Sequence, residues 1–314
     1  MNRRIAFDRI GVVLIDPNNA FRRALRAGLN RMGFDQIREY RTLDEFAKSL
    51  STSLPDLLLL NADEAELDVF EIVRAIRYHH RGENPFVPII CLTSDPTERR
   101  VLEAANSGTD HLLVKPISPA AIESRVRHML DSRRLFVVTA DYIGPDRRQG
   151  QRQKRSKVPL IEVPNVLSAR IEGQDEDTIR AAIEATVAVF DAEKLSRSAE
   201  RLVMLTETAV PRFERTGDKE LILPDLQDIR DLAYDMIARL DRRSMGHVGE
   251  LCHTLVEATD RFLGVAVPDH RDLDLMQPLS MAIQQAVIPA SEEEAALARE
   301  IVVTIDGVVR RTGR

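Results

Sequence analysis

The sequence has no tryptophan, and aromatic residues make up only 4% of it. A surface that stacks the bases of single-stranded nucleic acid is therefore not expected. There are two cysteines, Cys91 and Cys252, far apart and outside any CxxC pattern. Both read as buried thiols rather than as a disulfide or a metal pair. Long apolar runs are also missing. None reaches the roughly 18 consecutive apolar residues of a membrane span. The short apolar run near the N-terminus has no cleavage-like tail, so a signal peptide is not expected. Sparse cysteine usage without a span fits a soluble protein of the reducing cytoplasm. Several enzyme signatures are absent as well: no Gly-rich phosphate loop, no GxSxG, no HExxH and no GGDEF run. No enzyme activity is expected.

The 314 residues suffice for two domains with separate cores. Charge divides them unevenly. Residues 1–145 are neutral overall, 146–160 carry +5 and 161–314 carry −11. A neutral front, a basic joint and an acidic back follow.

The front alternates short apolar runs with amphipathic segments. Ile10–Ile15, Leu57–Leu60 and Val87–Leu92 are rich in β-branched residues and leucine and read as buried parallel strands. Ile37–Tyr40 and His111–Val114 are weaker strands. Between them Phe21, Ala24, Leu25 and Leu29 recur at helical spacing up to Gly33, and Thr42 with Glu45 forms a capping box. Phe70, Val73 and Ile76 mark a third helix. Segments from about Pro96 to Ser107 and from Ser118 to Leu130 are the fourth and fifth. Five strands alternating with five helices predict an α/β fold with a doubly wound parallel sheet. Such sheets place their sites at the carboxyl ends of strands, where Asp16, Asn61, Thr93 and Lys115 each follow an apolar run. Taken singly, Asp16 reads as a strand-end turn residue and Thr93 as a helix cap.

Residues 136–165 lose periodicity and read as an exposed basic linker containing Arg147, Arg148, Arg152, Lys154, Arg155 and Lys157. Such a patch could bind nucleic acid phosphates weakly, but no aromatic or helix-turn-helix pattern accompanies it. Residues 166–314 read as an all-α helical bundle. Its helices are Asp177–Thr208, Asp225–Arg243, His247–Leu263, Asp272–Val287 and a last one capped by Ser291. The second carries a stripe of Leu226, Ile229, Ala233, Met236 and Leu240 at a 3.6-residue period. A histidine phosphotransfer bundle would need a surface His on this hairpin. Tyr234 and Met236 stand at the positions expected for one, and His247 and His253 lie six residues apart on the next helix. A protein-binding module is the simpler expectation.

The texts VLIDPN, PDLLLLNADEAELDVFEIVRAIR, IICLTSD and LLVKPIS resemble the receiver domain of bacterial two-component response regulators. DYIGPDRR resembles a tail found behind some of them. The likeness runs over about the first 148 residues and implies a five-stranded, flavodoxin-like receiver. In that family an acidic pair and an acceptor Asp hold Mg²⁺, and a Thr or Ser hydroxyl and a Lys bind the phosphoryl oxygens. Asp16 matches the first acid, Thr93 the hydroxyl, and Lys115-Pro116 the Lys-Pro pair. Pro17 replaces the second acid, Asn61 replaces the acceptor, and Leu112 stands where an aromatic switch residue is common. The resemblance thus implies a pseudo-receiver. An amide is no nucleophile for phosphoryl transfer, and a single carboxylate makes a weak or absent Mg²⁺ site. No other cofactor is expected. Lys115 could then pair with Asp16 without a metal. Asp63, two residues past Asn61, is expected to point away from the crevice.

The expected function is a signalling protein of a phosphorelay that contacts protein partners through its helical half. The family's common dimer face leaves room for a homodimer, and no membrane partner is expected. The alternative is a phosphorylation-dependent regulator acting on DNA or a partner through the basic linker and helical domain.

Overall fold

The computed structural model describes residues 5–49, 55–63, 68–148, 158–243, 245–265 and 270–288. Contacts group them into two units, residues 1–187 and 188–314.

The first unit is built on a parallel sheet of β1 (Val12–Ile15), β2 (Ile37–Tyr40), β3 (Leu57–Asn61), β4 (Ile89–Thr93) and β5 (His111–Val114). Their order is β2-β1-β3-β4-β5, every neighbour parallel. Helices α1 (Asn19–Arg31), α2 (Leu43–Ser49), α3 (Val69–Arg77), α4 (Glu98–Ser107) and α5 (Pro119–Asp131) connect and follow them. This is the doubly wound α/β fold that the alternation predicts. The leucines of β3 have no exposure at all, because helices cover both faces of the sheet. Each fully buried leucine contributes about 1.5–3 kcal/mol. Local signals set the ends of the helices. Asn18, Asp68 and Ser118 cap α1, α3 and α5 through their side chains. Half of the capping box is present: the Thr42 hydroxyl accepts from the Glu45 amide, while Glu45 reaches back one residue further, accepting from the Arg41 amide.

The structure departs from the sequence reading after α5. Part of the stretch expected to be an exposed linker is a small antiparallel sheet of β6 (Phe136–Val138), β7 (Ile143–Pro145) and β8 (Leu160–Ile161), in the order β7-β6-β8. Phe136 is the reason. Its ring is fully buried, with the Arg77 and Arg133 guanidiniums 5.4 and 5.5 Å from its centroid and Phe86 edge-on at 6.0 Å. Both arginines also bond Asp110, at 2.9 and 2.6 Å. Arg77 donates in addition to the carbonyls of Gly108, Pro85 and Val87. Burial pulls the Arg77 guanidinium down to about 10, against the opposing pull of Asp110. Gly108 closes α4 with φ of 90°. A Cβ there would come within 2.7 Å of the Ile143 carbonyl, and one on Gly144 within 2.8 Å of the Gly108 Cα. Two glycines thus let β7 lie against the end of α4.

Arg147 and Arg148 are not free on this segment. Arg147 donates to the Thr109 carbonyl, and Arg148 pairs with Asp146 at 2.8 Å. Arg152, Lys154, Arg155 and Lys157 lie outside the described residues. Helix α6 (Val166–Glu172), which the sequence assigned to the bundle, belongs instead to the first unit. Leu167 is fully buried in the cluster of Ile10, Leu14 and Met129. Asn165 donates to the last carbonyls of α5, those of Met129 and Leu130. Arg170 pairs with Asp56 at 2.8 Å.

Helix α7 (Glu176–Thr216) is followed by α8 (Leu223–Arg242), α9 (Gly246–Gly264) and α10 (His270–Val287). Within the second unit Leu202, Ile229, Ala233, Met236, Leu240, Leu255, Phe262 and Ile283 are buried, as the helical stripes predict. Arg239, nearly inaccessible, bonds Asp191 at 2.6 Å and Asp235 at 3.1 Å. This pairing supplies the partners that a buried guanidinium requires. The predicted helix capped by Ser291 lies outside the described residues. Cys91 and Cys252 are both buried free thiols, pushed up to about 11 and about 12 by burial. Among the described residues no helix is long and apolar enough to cross a membrane.

Candidate functional site

Four strand ends bring the predicted residues into one crevice. Asp16 follows β1, Asn61 ends β3, Thr93 ends β4 and Lys115 follows β5. Asp16, Asn61 and Thr93 are buried. The Lys115 ammonium sits at their centre. It donates to Asp16 Oδ2 at 2.8 Å and to the Asn61 amide oxygen at 2.6 Å, and it lies 4.8 Å from the Phe21 ring centroid. The pairing of Lys115 with Asp16 is the one expected once acidic charge is removed. The peptide bond between Lys115 and Pro116 is cis. Local turn roles coexist with this arrangement. Asp16 Oδ1 accepts the Asn18 amide at 2.8 Å, and Thr93 Oγ1 accepts the Asp95 amide at 3.0 Å.

Asp63 corrects the sequence reading. It was expected to face away, yet its carboxylate lies in the crevice. Oδ1 accepts the Thr93 hydroxyl at 2.8 Å and the Ser94 amide at 2.7 Å. Oδ2 accepts the Ser94 hydroxyl at 2.8 Å and lies 3.2 Å from Lys115 Nζ. The reason is local. β3 stops at Asn61, and the Asp63 amide turns back towards the Asn61 side-chain oxygen at 3.4 Å. The residue-by-residue alternation of a strand no longer governs Asp63. Four donors then capture the carboxylate. Partial burial by itself would raise the Asp63 carboxyl. The bonds from Ser94, Thr93 and Lys115 outweigh it and hold the group below its ordinary value.

Ser94 escaped the sequence reading. Its signal was its place directly after Thr93, where its amide and hydroxyl both reach the crevice. Arg100 was missed as well. It donates to the Ala62 carbonyl next to Asn61 and lies 4.9 Å from the Phe70 ring centroid. Leu112 is half-buried and packs against the core that holds β3, β4 and α3. Pro17 offers no donor or acceptor side chain to the site.

These residues do not suit Mg²⁺. A hard divalent cation needs several anionic oxygens converging on it. Here Asp16 and Asp63 are the carboxylates of the crevice, Pro17 and Asn61 bring none, and the Lys115 ammonium already pairs with both. No cluster of three or more His, Cys, Asp or Glu fit for a metal occurs among the described residues. In the second unit Tyr234 is exposed, Met236 is buried, and His247 and His253 are exposed.

The family model described as the response regulator receiver domain matches residues 12–127. The transcriptional regulatory protein AfsQ1 of Streptomyces coelicolor is 30% identical over 119 residues, which are 38% of this chain and 50% of that protein. ResD of Bacillus subtilis is 34% identical over 120 residues, 38% of this chain and 47% of its own. The chain thus spans about half the length of these curated relatives. A chemotaxis protein CheY homolog of Campylobacter jejuni is 26% identical over 121 residues, 38% of this chain and 91% of its own. The crystal structure of chemotaxis protein CheY4 of Vibrio cholerae aligns with 38% of this chain and 97% of its own, at 20% identity and a TM-score of 0.35. With the parallel sheet in the order β2-β1-β3-β4-β5 and the crevice at its strand ends, residues 12–127 of this chain are a receiver domain of the two-component response regulator family.

Proposed function

We propose that this chain is a response-regulator-like signalling protein whose receiver takes no phosphoryl group on Asn61 and which acts by binding other proteins through its helical half. One observation carries the proposal: the Asn61 amide oxygen and Asp16 are both bound to the Lys115 ammonium. An amide has no nucleophilic lone pair comparable to that of a carboxylate. Asp16 and Asp63 both already pair with Lys115, and with Pro17 and Asn61 beside Asp16 the crevice offers fewer free anionic oxygens than a hard cation needs. Receiver domains are signalling modules, and no enzyme chemistry is assigned to this one. Exposed Val101 and Leu102 on α4 and Val114 on β5 support a protein-binding face on the receiver, suited to a partner or to a second copy. Exposed Met204, Tyr234, Leu275 and Met281 support one on the helical half.

The test uses the full chain with acetyl phosphate and Mg²⁺, followed by intact-mass measurement. No phosphoryl adduct is expected. An adduct mapped to Asp16 or Asp63 would overturn the proposal. The double variant Asn61→Asp, Pro17→Asp should gain Mg²⁺-dependent binding of beryllofluoride that the natural chain lacks. Salt-sensitive DNA retardation, lost on deleting residues 147–157, would favour a DNA-directed regulator instead.

A further inference from the structure

We propose that the Asp63 carboxylate is a built-in substitute for a bound oxyanion: it fills the cradle formed by Thr93 Oγ1, the Ser94 amide and hydroxyl, and Lys115 Nζ, and so fixes the β4–α4 connection in one state without phosphorylation.

The donors define the cradle. A hydroxyl, a backbone amide, a second hydroxyl and an ammonium converge at 2.8, 2.7, 2.8 and 3.2 Å on the two oxygens of one carboxylate. They come from two strand ends, β4 and β5, while the anion comes from a third, β3. Such a convergence serves any small oxyanion. Here the chain supplies that anion itself, two residues past Asn61. A phosphoryl group carries about two negative charges at neutral pH, where a carboxylate carries one. Asp63 and Asp16 share the Lys115 ammonium, so the site carries two carboxylates against one cation, less negative charge than a phosphoryl group beside the same Asp16 would bring.

The consequence lies on the other side of the cradle. Thr93 is fully buried with its hydroxyl turned to Asp63. Both polar groups of Ser94 are taken by the same carboxylate. Thr93 Oγ1 and the Asp95 side chain then hold the turn into α4, through the Asp95 and Thr97 amides. Arg100, in the first turns of α4, ties back to the Ala62 carbonyl beside Asp63. Asp63 is thus a positioning residue for the segment Ser94–Arg100. That segment leads directly to the exposed Val101 and Leu102.

The inference rests on the reading that Asn61 takes no phosphate, but its first test is independent of it. Hydrogen exchange of the full chain is followed by mass spectrometry with no phosphodonor present. Peptides covering Ser94–Arg100 should exchange at least about tenfold faster in Asp63→Ala than in the natural chain. Asp63→Asn, which keeps the shape and loses the charge, should fall between them. Less than a twofold change in Asp63→Ala, with circular dichroism unchanged, would overturn the proposal. A second measurement separates substitution from mere loop support. In the Asn61→Asp, Pro17→Asp background, adding Asp63→Ala should tighten beryllofluoride binding about tenfold, because the competitor is gone. Unchanged affinity would also overturn it. Failure of the exchange experiment, or unchanged affinity in a background that does bind beryllofluoride, concerns Asp63 alone, whereas a background that binds none, or a phosphoryl adduct on the natural chain, concerns the reading of the receiver.

Discussion

The hydroxyl of Thr93 donates to the carboxylate of Asp63 across 2.8 Å, joining residues 30 positions apart in the chain at the ends of two neighbouring strands. The bond couples the end of β3 to the start of the β4–α4 connection. Thr93→Ala and Asp63→Ala should therefore be non-additive. Urea unfolding of both single variants and the double should give a coupling energy of about 0.5–1.5 kcal/mol. Additivity within about 0.3 kcal/mol would mean that the bond contributes nothing in solution.

Lys115 holds the crevice together. Lys115→Met keeps the apolar stem and removes the ammonium, leaving Asp16 buried without its counter-charge. Breaking such a pair is costlier than replacing both partners. The expected loss is about 2–3 kcal/mol in denaturant unfolding of the receiver transition, discounted for the partial exposure of Lys115. Replacing Asp16 as well, in Lys115→Met with Asp16→Asn, should recover part of it.

Gly108 tests whether the segment after α5 docks on the receiver. Gly108→Ala places a methyl group 2.7 Å from the Ile143 carbonyl and forces a left-handed backbone on alanine. The backbone alone costs about 1–2 kcal/mol. Limited proteolysis should then cut near Ile143 sooner than in the natural chain. Equal resistance would show that β7 is not held by this contact.

His111 makes stability depend on pH. Burial holds its imidazole down to about 4, with Arg125, Arg134 and His128 adding to the depression and Asp110 opposing it. Between about 4 and the ordinary value of about 6.5 the unfolded chain takes up a proton there that the folded chain refuses. Stability therefore rises with pH across this window: the contribution is fully present above about 6.5 and is lost as pH falls through the window to about 4. His111→Asn should flatten this part of the stability profile. A profile as steep as that of the natural chain would assign the slope to other groups.

What the sequence determined by itself is the receiver. Strand ends and helix caps are local matters: Leu57–Leu60 reads as a strand buried on both faces, and Thr42 with Glu45 as the start of a helix, and both form there. Because such sheets gather their strand ends, Asp16, Asn61, Thr93 and Lys115 could be placed together before any distance was known. Three things were left to the tertiary structure. Asp63 turns into the crevice because β3 ends before it and Thr93, Ser94 and Lys115 offer donors there, and a side chain's direction past a strand end depends on partners remote in sequence. Residues 136–145 dock because Phe136 meets Arg77, Arg133 and Phe86. The stretch read as an exposed linker because nothing local in it names those partners. Helix α6 joins the first unit through Leu167 and the Arg170–Asp56 pair, since an amphipathic helix shows that it must bury a face and does not show against which core.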